Sequence, residues 1–283
     1  PYYSKKRSQK WALIKQIPKF IKTIYIEKKI AEKISLEQNA DIIISDNRFG
    51  FRSSKTLNIY LTHQLKIKGP LLLMKVVNQI NRLFIQKFDC CWVPDFENSL
   101  LSGELSDFCL KKTFIGPLTR FKKTESERKK YKYKYLAIIS GPEPQRSLLE
   151  DEIQNCFRET NEDCAIINGL TKTKEISTGK ITFYPHLETT TFKEILTKSE
   201  LVICRSGYSS IMDLYVLQKK VLFIPTPGQT EQEYLAKYHQ ETHSICYQKQ
   251  GEINLKKASF NFIKPKYRTK KKLLKAALGK VSL

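Results

Sequence analysis

The chain has 283 residues, 41% of them apolar and 28% charged, which excludes an intrinsically disordered protein because such a chain can bury a sizeable core. Lysine and arginine number 50 against 28 acidic residues, a formal net charge of +22. This excess favours an anionic partner: a nucleic acid, an acidic membrane surface or a phosphate-bearing ligand. The length is typical of two domains.

Signals for targeting and for metal binding are missing from the sequence. No apolar run approaches the roughly 20 residues that a membrane-spanning helix needs, and the first residues lack the apolar core of a secretion signal. The seven cysteines include no C-x-x-C pair, so we expect neither a zinc site nor another metal cofactor. We predict a protein of the reducing cytoplasm.

Helical and β-branched stretches alternate in the first part of the chain, as in an α/β protein. Residues 19–36 predict a helix with Pro18 in its first turn. The other elements predicted here are a helix at 71–88 and strands at 42–44, 57–61, 90–93 and 112–115. We interpret residues 1–119 as a first α/β domain.

A basic segment at 120–134 separates the two parts. It holds eight basic and two acidic residues without apolar periodicity, and we predict a solvated linker. The alternation then restarts and predicts a second α/β domain at 135–263, followed by a basic helix at 264–283. Its predicted strands are 135–139, 164–167, 181–184, 201–204 and 221–224, and its predicted helices are 142–159, 190–198, 207–217 and 231–239.

Residues 204–213 are the most specific local signal, since they follow a predicted strand and open a helix. A glycine at such a turn, here Gly207, lets a ligand approach the backbone, and the N–H groups at the helix start favour a phosphate. Ser206, Ser209 and Asp213 share one face, where the Asp213 carboxylate could accept hydrogen bonds from a ribose. The alternative is an ordinary serine-capped helix with a solvated aspartate.

Two further turns follow predicted strands. In the first, Ser140 and Glu143 fit a capping box around Gly141, with Pro142 in the first helical turn. In the second, a rigid loop starting at residue 225 leads into a helix whose first turns carry side chains suited to a hydroxyl-rich ligand: Gln229, Glu231, Gln232 and Glu233. Each turn taken alone could be a plain capped helix start. Two glycine turns in one domain favour a shared anionic ligand at the carboxyl ends of the strands.

Three more candidates lie in turns that follow predicted strands. His63 ends one strand, Asp46 follows another, and His186 lies in a turn of the second domain. A single histidine is more often structural than catalytic, and the sequence leaves both roles open. No G-x-x-x-x-G-K-[ST] loop occurs, which disfavours a P-loop NTPase.

Together these residues resemble the donor-binding domain of GT-B glycosyltransferases, and most closely family 28, which includes the lipid-linked GlcNAc transferase of peptidoglycan synthesis. Residues 205–213 are similar to its R-S-G-x-x-T…E signature, and residues 225–236 to its P-x(n)-Q-x-x-x-A segment. Residues 58–64 resemble its strand ending in H-x-Q, and residues 115–117 its interdomain turn. The whole chain is also similar to uncharacterised bacterial glycosyltransferases with S-G-P-E-P-Q-R and C-R-S-G-Y motifs.

The resemblance implies two Rossmann-like domains whose parallel sheets face across a cleft, and transfer of a hexosyl group, such as GlcNAc, from a UDP-sugar. Backbone groups of the second domain would hold the diphosphate, Asp213 the ribose, and the turn at His186 the uracil. Helix N-termini and Arg205 would stabilise the leaving diphosphate without a metal. The implied donor contacts are Gly141, His186, Leu187, Arg205, Ser206, Gly207, Tyr208, Ser209, Asp213, Gln229, Gln232 and Glu233.

Two departures from the family limit these expectations. Glu233 stands where the family has a second glutamine, which leaves the sugar open. The family's G-x-G-H loop with its catalytic base does not occur in the sequence, so we expect the opening strands of the first domain to precede residue 1. We therefore expect this chain to bind UDP or a UDP-sugar but to transfer little, with His63 and Asp46 as the remaining candidates for the base.

The resemblance implies a lipid-linked or glycan acceptor and a place at the inner face of the plasma membrane. Residues 1–34 support this with a local charge of +8 and apolar side chains such as Trp11 and Phe20. The alternative is a helix packed on its own sheet. Two other functions stay open: a GT-B epimerase or hydrolase acting on UDP-sugars, and a basic nucleic-acid-binding module, although no specific nucleic-acid motif occurs.

Overall fold

The computed structural model describes residues 9–69, 71–107, 111–121, 131–169, 175–264 and 273–281. The chain divides into two compact units, Pro1–Gly116 with Lys270–Leu283 and Pro117–Thr269. The ends of the segment predicted as a linker belong to the second unit, because Phe121 is buried and a strand begins at Tyr133. Residues 122–130 of that segment lie outside the described part.

The first unit contains a four-stranded parallel sheet in the order β1-β2-β3-β4. Its elements are α1 (Gln9–Glu37), β1 (Ile42–Asp46), β2 (Leu57–Leu61), α2 (Leu71–Ile85), β3 (Cys90–Val93), β4 (Lys112–Phe114) and α7 (Leu273–Gly279). Buried apolar side chains from β2, β3 and the end of α2 form its core, among them Tyr60, Ile85 and Val93. Of the predicted C-terminal helix, only α7 falls within the described residues.

Helix α1 is longer than the sequence predicts, since it begins at Gln9 and carries Pro18 inside it rather than in its first turn. Proline has no N–H group, so the helix loses one backbone hydrogen bond at this position but continues on both sides. The Phe20 ring lies edge-on to the rings of Phe49 and Phe84, at 6.0 and 5.9 Å, and these contacts dock α1 beside α2. None of the described helices is long and apolar enough to cross a membrane.

The second unit contains a six-stranded sheet in the order β10-β9-β5-β6-β8-β7, in which β7 is antiparallel to its neighbour. Its strands are β5 (Tyr133–Ile138), β6 (Cys164–Ile167), β7 (Ile176–Thr178), β8 (Ile181–Tyr184), β9 (Ser199–Cys204) and β10 (Lys220–Phe223). Its helices are α3 (Gln145–Arg158), α4 (Thr189–Lys198), α5 (Tyr208–Leu217) and α6 (Thr230–His243).

The order of the parallel strands locates a ligand crevice in this unit. Numbered along the chain, the five parallel strands lie in the order 3-2-1-4-5, and the direction of winding reverses between β5 and β9. In open α/β sheets, ligands bind outside the carboxyl ends of the strands at this reversal. The structure confirms the predicted α/β architecture with parallel sheets.

One strand of this unit was missed, and one local prediction for it is wrong. Strand β7 was not predicted, because its three residues are all exposed and too few to show an alternating pattern. The capping box at Ser140 and Glu143 does not form, since α3 begins at Gln145. Pro144 disfavours the helical conformation for Glu143, the residue before it. Glu143 caps the helix from outside instead, where its carboxylate accepts hydrogen bonds from the backbone N–H (3.3 Å) and the hydroxyl (2.8 Å) of Ser147.

Candidate functional site

Three turns meet at the carboxyl ends of β5, β9 and β10, which are neighbours in the second sheet. The turn after β5 contains Gly141, whose φ of +109° strongly favours glycine. A Cβ atom at this position would lie 3.6 Å from Thr226 Oγ1, in the turn after β10, and 3.9 Å from Arg205 Nε, in the turn after β9. The three turns are therefore packed against one another at the reversal of the sheet.

Arg205 holds these turns together. Its side chain is buried, with a relative exposure of 1%, and its guanidinium donates to five acceptors. Those acceptors are Ser140 O at 3.4 Å, Ile224 O at 3.1 Å, Pro225 O at 3.3 Å, Gln145 O at 2.8 Å and Gln250 Oε1 at 2.7 Å. Burial lowers the pKa of the Arg205 guanidinium to about 10, so the group is still charged at neutral pH.

The predicted role of Arg205 as a partner of the diphosphate stays a prediction, and the structure shows a second role for this side chain. A guanidinium has five N–H groups, and all five are directed at protein acceptors. Arg205 fixes the relative positions of the three turns. Among the described residues no carboxylate forms an ion pair with Arg205, although the Glu152 charge acts on it from a greater distance. The buried guanidinium therefore contributes positive charge to the site, which suits an anion.

Helix α5 starts three residues after Arg205 and presents its N-terminus at the same edge. Gly207 is the N-cap residue, and none of the described side chains caps the helix. The first backbone hydrogen bond runs from Ile211 N to Gly207 O at 3.0 Å, so the N–H groups of the preceding three residues point out of the helix end. The Tyr208 side chain is buried, whereas Ser209 is exposed. The backbone here can bind a phosphate group.

The turn after β10 is braced by the first residues of α6. Gln232 Oε1 accepts a hydrogen bond from Thr226 N at 2.8 Å, and Glu233 Oε1 accepts one from Gly228 N at 2.9 Å. Both side chains were predicted to contact the donor sugar, and each has one oxygen engaged by its own turn. What they offer a ligand is the amide Nε2 of Gln232 and the Oε2 of Glu233.

Two other predicted contacts serve this same turn. Gln229 is the half-buried N-cap residue of α6, and its N–H donates to Thr226 O at 3.0 Å. Ser206 is fully buried, and its hydroxyl donates to Gln232 O at 2.7 Å. Ser206 therefore links the turn after β9 to α6, and only its backbone is suited to a ligand.

Asp213, two turns into α5, has a partner that sequence reasoning missed. The Thr119 hydroxyl donates to Asp213 Oδ1 at 2.5 Å, across 94 positions of the sequence. This bond orients the carboxylate and leaves Oδ2 for a ligand. Burial raises the pKa of the Asp213 carboxyl, although the Thr119 hydrogen bond and the Arg120 charge oppose the rise.

The segment that carries Thr119 also approaches helix α4. The Arg120 guanidinium carbon lies 4.9 Å from the centroid of the Phe192 ring, and Arg120 Nη1 donates to Thr189 Oγ1 at 3.4 Å. His186, which is exposed, and Leu187, which is half-buried, lie just before α4, in the turn after β8. Residues 119–120 thus connect Asp213 to the start of the helix that follows the predicted uracil turn. No motif pointed to these two residues.

The two candidates in the first unit lie at the carboxyl edge of its sheet. Asp46 ends β1, is exposed, and pairs in register with Leu61, two residues before His63. Asn47 connects the strand ends, because its Oδ1 accepts hydrogen bonds from the Tyr60 hydroxyl at 3.0 Å and the Thr62 hydroxyl at 3.2 Å. The predicted placement at strand ends is observed, and Asn47 was missed.

Comparisons with known proteins agree with this fold. Residues 152–276 match the model of the glycosyltransferase family 28 C-terminal domain. No curated protein sequence matches the chain. Similar solved structures include MurG of Acinetobacter baumannii, with a TM-score of 0.51 and 10% identity over 90% of this chain and 70% of that one.

Two further structures share the fold. The glycosyltransferase SnogD from Streptomyces nogalater has a TM-score of 0.59 and 8% identity, over 90% of this chain and 72% of that one. The spinosyn rhamnosyltransferase SpnG, complexed with thymidine diphosphate, has a TM-score of 0.50 and 9% identity, over 81% of this chain and 66% of that one. Residues 152–276 thus form a glycosyltransferase family 28 C-terminal domain, and the chain as a whole shares the GT-B fold of these structures.

Proposed function

We propose that this glycosyltransferase moves a hexosyl group, such as GlcNAc, from a UDP-sugar to an acceptor hydroxyl. One observation carries the donor assignment: the uncapped N-terminus of α5, the left-handed Gly141 and the buried charge of Arg205 meet at the reversal of the second sheet. This arrangement favours a diphosphate. SpnG, which shares the fold, is complexed with thymidine diphosphate.

The proposed reaction forms one bond and breaks another. The acceptor oxygen bonds to the anomeric carbon of the sugar, the bond from that carbon to the diphosphate breaks, and the hydroxyl proton passes to a base. Negative charge develops on the leaving diphosphate, where the N–H groups of α5 can stabilise it. Gln232 Nε2 and Glu233 Oε2 are proposed to contact the sugar, Asp213 the ribose, and the turn at His186 and Leu187 the uracil.

Because backbone N–H groups and a buried cation can balance the diphosphate charge, we propose that donor binding needs no metal. Calorimetry with UDP is expected to give the same affinity in excess EDTA as with magnesium ions. Inorganic phosphate, which lacks the nucleoside, is the control and is expected to bind much more weakly. Failure to bind any nucleoside diphosphate under either condition would contradict the proposed function.

The proposed proton acceptors are His63 and Asp46, at the carboxyl edge of the first sheet. Such edges carry the functional groups of open α/β sheets, and Asn47 fixes the two strand ends there. Robust turnover of a UDP-sugar by this chain, lost in a His63→Gln variant that still binds UDP, would assign His63 as the base.

We also propose peripheral binding to an anionic membrane, which would bring the enzyme to a lipid-linked acceptor at the cytoplasmic face. Helices α1 and α2 lie side by side and expose large apolar side chains: Ile21, Tyr25, Val76, Ile80 and Leu83. Exposed lysines flank them on α1: Lys19, Lys22, Lys29 and Lys33. Apolar and basic side chains in this combination suit an interfacial helix. The predicted contribution of the Trp11 side chain lies outside the described residues.

Sedimentation with vesicles tests this membrane proposal. We expect stronger binding to vesicles with 30% phosphatidylserine than to pure phosphatidylcholine at low salt. Each basic residue near an anionic surface contributes roughly 1 kcal/mol of electrostatic attraction. The double variant Ile21→Ser/Leu83→Ser is expected to weaken binding. Ile176→Ser, an equally exposed site on β7, is the control. Equal binding to both vesicle types would reject electrostatic anchoring.

A further inference from the structure

The hydroxyl of Thr226 is buried in the turn after β10 and takes part in none of the hydrogen bonds that hold the candidate site. Thr226 has a relative exposure of 0%, and its Oγ1 has no hydrogen-bond partner within the described residues. Its backbone, in contrast, is fully engaged, with N–H donated to Gln232 Oε1 and C=O accepting from Gln229 N. A buried hydroxyl without a partner is costly, and such groups in native proteins often mark a functional site.

The hydroxyl lies where a diphosphate is expected. Thr226 follows β10, and its Oγ1 is 3.6 Å from the position of a Cβ atom on Gly141, in the turn after β5. The Nε of the buried Arg205 lies 3.9 Å from that same position. The unpartnered hydroxyl therefore lies among the three turns that also hold the start of α5.

The turn at Gly141, which lies beside this hydroxyl, forms few hydrogen bonds. Gly141 is exposed and forms no hydrogen bond with the described residues. Its neighbour Ser140 is held through its carbonyl by Arg205 Nε at the long distance of 3.4 Å. An exposed glycine with few hydrogen bonds can move at low cost. This turn lies directly beside the buried hydroxyl.

We propose that Thr226 is a ligand-contacting residue of the donor site: the Gly141 turn moves when the nucleoside diphosphate binds, and the Thr226 hydroxyl then donates to a phosphate oxygen. This inference rests on the proposed function. It makes the hydroxyl a group that is unfavourable in the free chain and favourable in the complex. Removing the hydroxyl is therefore expected to leave the stability of the free chain unchanged or to raise it, and to lower the affinity for the nucleoside diphosphate.

The test compares Thr226→Val, which keeps the shape and removes the hydroxyl, with Thr226→Ser, which keeps the hydroxyl. Thr226→Val is expected to melt at the wild-type temperature or above, and to bind UDP roughly tenfold more weakly, as for loss of one hydrogen bond to a charged group. Its affinity for uridine, which has no phosphate, is expected to be unchanged. Thr226→Ser is expected to bind UDP like the wild type.

Thr197→Val is the matched control, since the Thr197 hydroxyl donates to Lys193 O and Glu194 O at 2.9 Å. It is expected to lose stability and to keep the UDP affinity. Wild-type UDP affinity in Thr226→Val, whatever its melting temperature, would overturn the inference while leaving the proposed function intact. A wild-type chain that binds no nucleoside diphosphate would contradict the proposed function itself, and with it this inference.

Discussion

Replacing Arg205 by methionine is expected to lower the free energy of unfolding by about 3 kcal/mol or more and to abolish UDP binding. The change leaves the carbonyls of Ile224, Pro225 and Gln145 without their donor, and each buried acceptor left unpaired costs about 1–3 kcal/mol. The three turns would then lose their common anchor, so the diphosphate site would be lost together with stability. Denaturant unfolding and calorimetry with UDP measure the two effects.

Two further variants separate the possible roles of this side chain. Arg205→Lys keeps the charge but has three donors and no planar fork, so intermediate stability and weakened UDP binding are expected. Arg158→Ala is the control, because Arg158 is exposed and its hydrogen bonds with the described residues go to the side chains of Asn155 and Gln154. An Arg205→Met variant with wild-type stability and no UDP affinity would instead indicate direct contact with the phosphate.

The second large effect is expected at Asp213. Asp213→Asn should weaken UDP binding roughly tenfold or more, because a charge-assisted hydrogen bond to the ribose is lost. Binding of 2′,3′-dideoxy-UDP, which lacks the ribose hydroxyls, should not change between wild type and variant. Comparing the two ligands by calorimetry isolates the ribose contact, and equal weakening for both would rule it out.

The pKa of Asp213 adds a pH dependence to this result. Burial raises the pKa of this carboxyl, so it becomes protonated at a higher pH than an exposed aspartate does. UDP affinity of the wild type should therefore fall as the pH is lowered through this raised pKa, beyond any fall seen in Asp213→Asn. Thr119→Val removes the hydrogen bond to Oδ1 without touching Oδ2, and a smaller loss of affinity is expected from it.

Much of the architecture could be predicted from the sequence, because the signals are local. The runs 57–61, 90–93, 164–167 and 181–184 are observed as strands with the predicted bounds. Glycine and proline mark the turns after β5, β9 and β10, where the chain must reverse between strand and helix. The turns after β9 and β10 carry the motifs that resemble family 28, and they lie within the residues 152–276 that match its C-terminal domain. Short exposed elements such as β7 lack such a pattern.

Which side chains act on a ligand was decided only by the tertiary structure. A motif places Arg205 at the start of a helix, but its acceptors are supplied by residues 140, 145, 224, 225 and 250. Thr119 reaches Asp213 across 94 positions, and the Thr226 hydroxyl is buried beside Gly141, 85 positions away. A side chain's free donors depend on neighbours brought together by sheet order, and sheet order is a long-range property that local patterns do not encode.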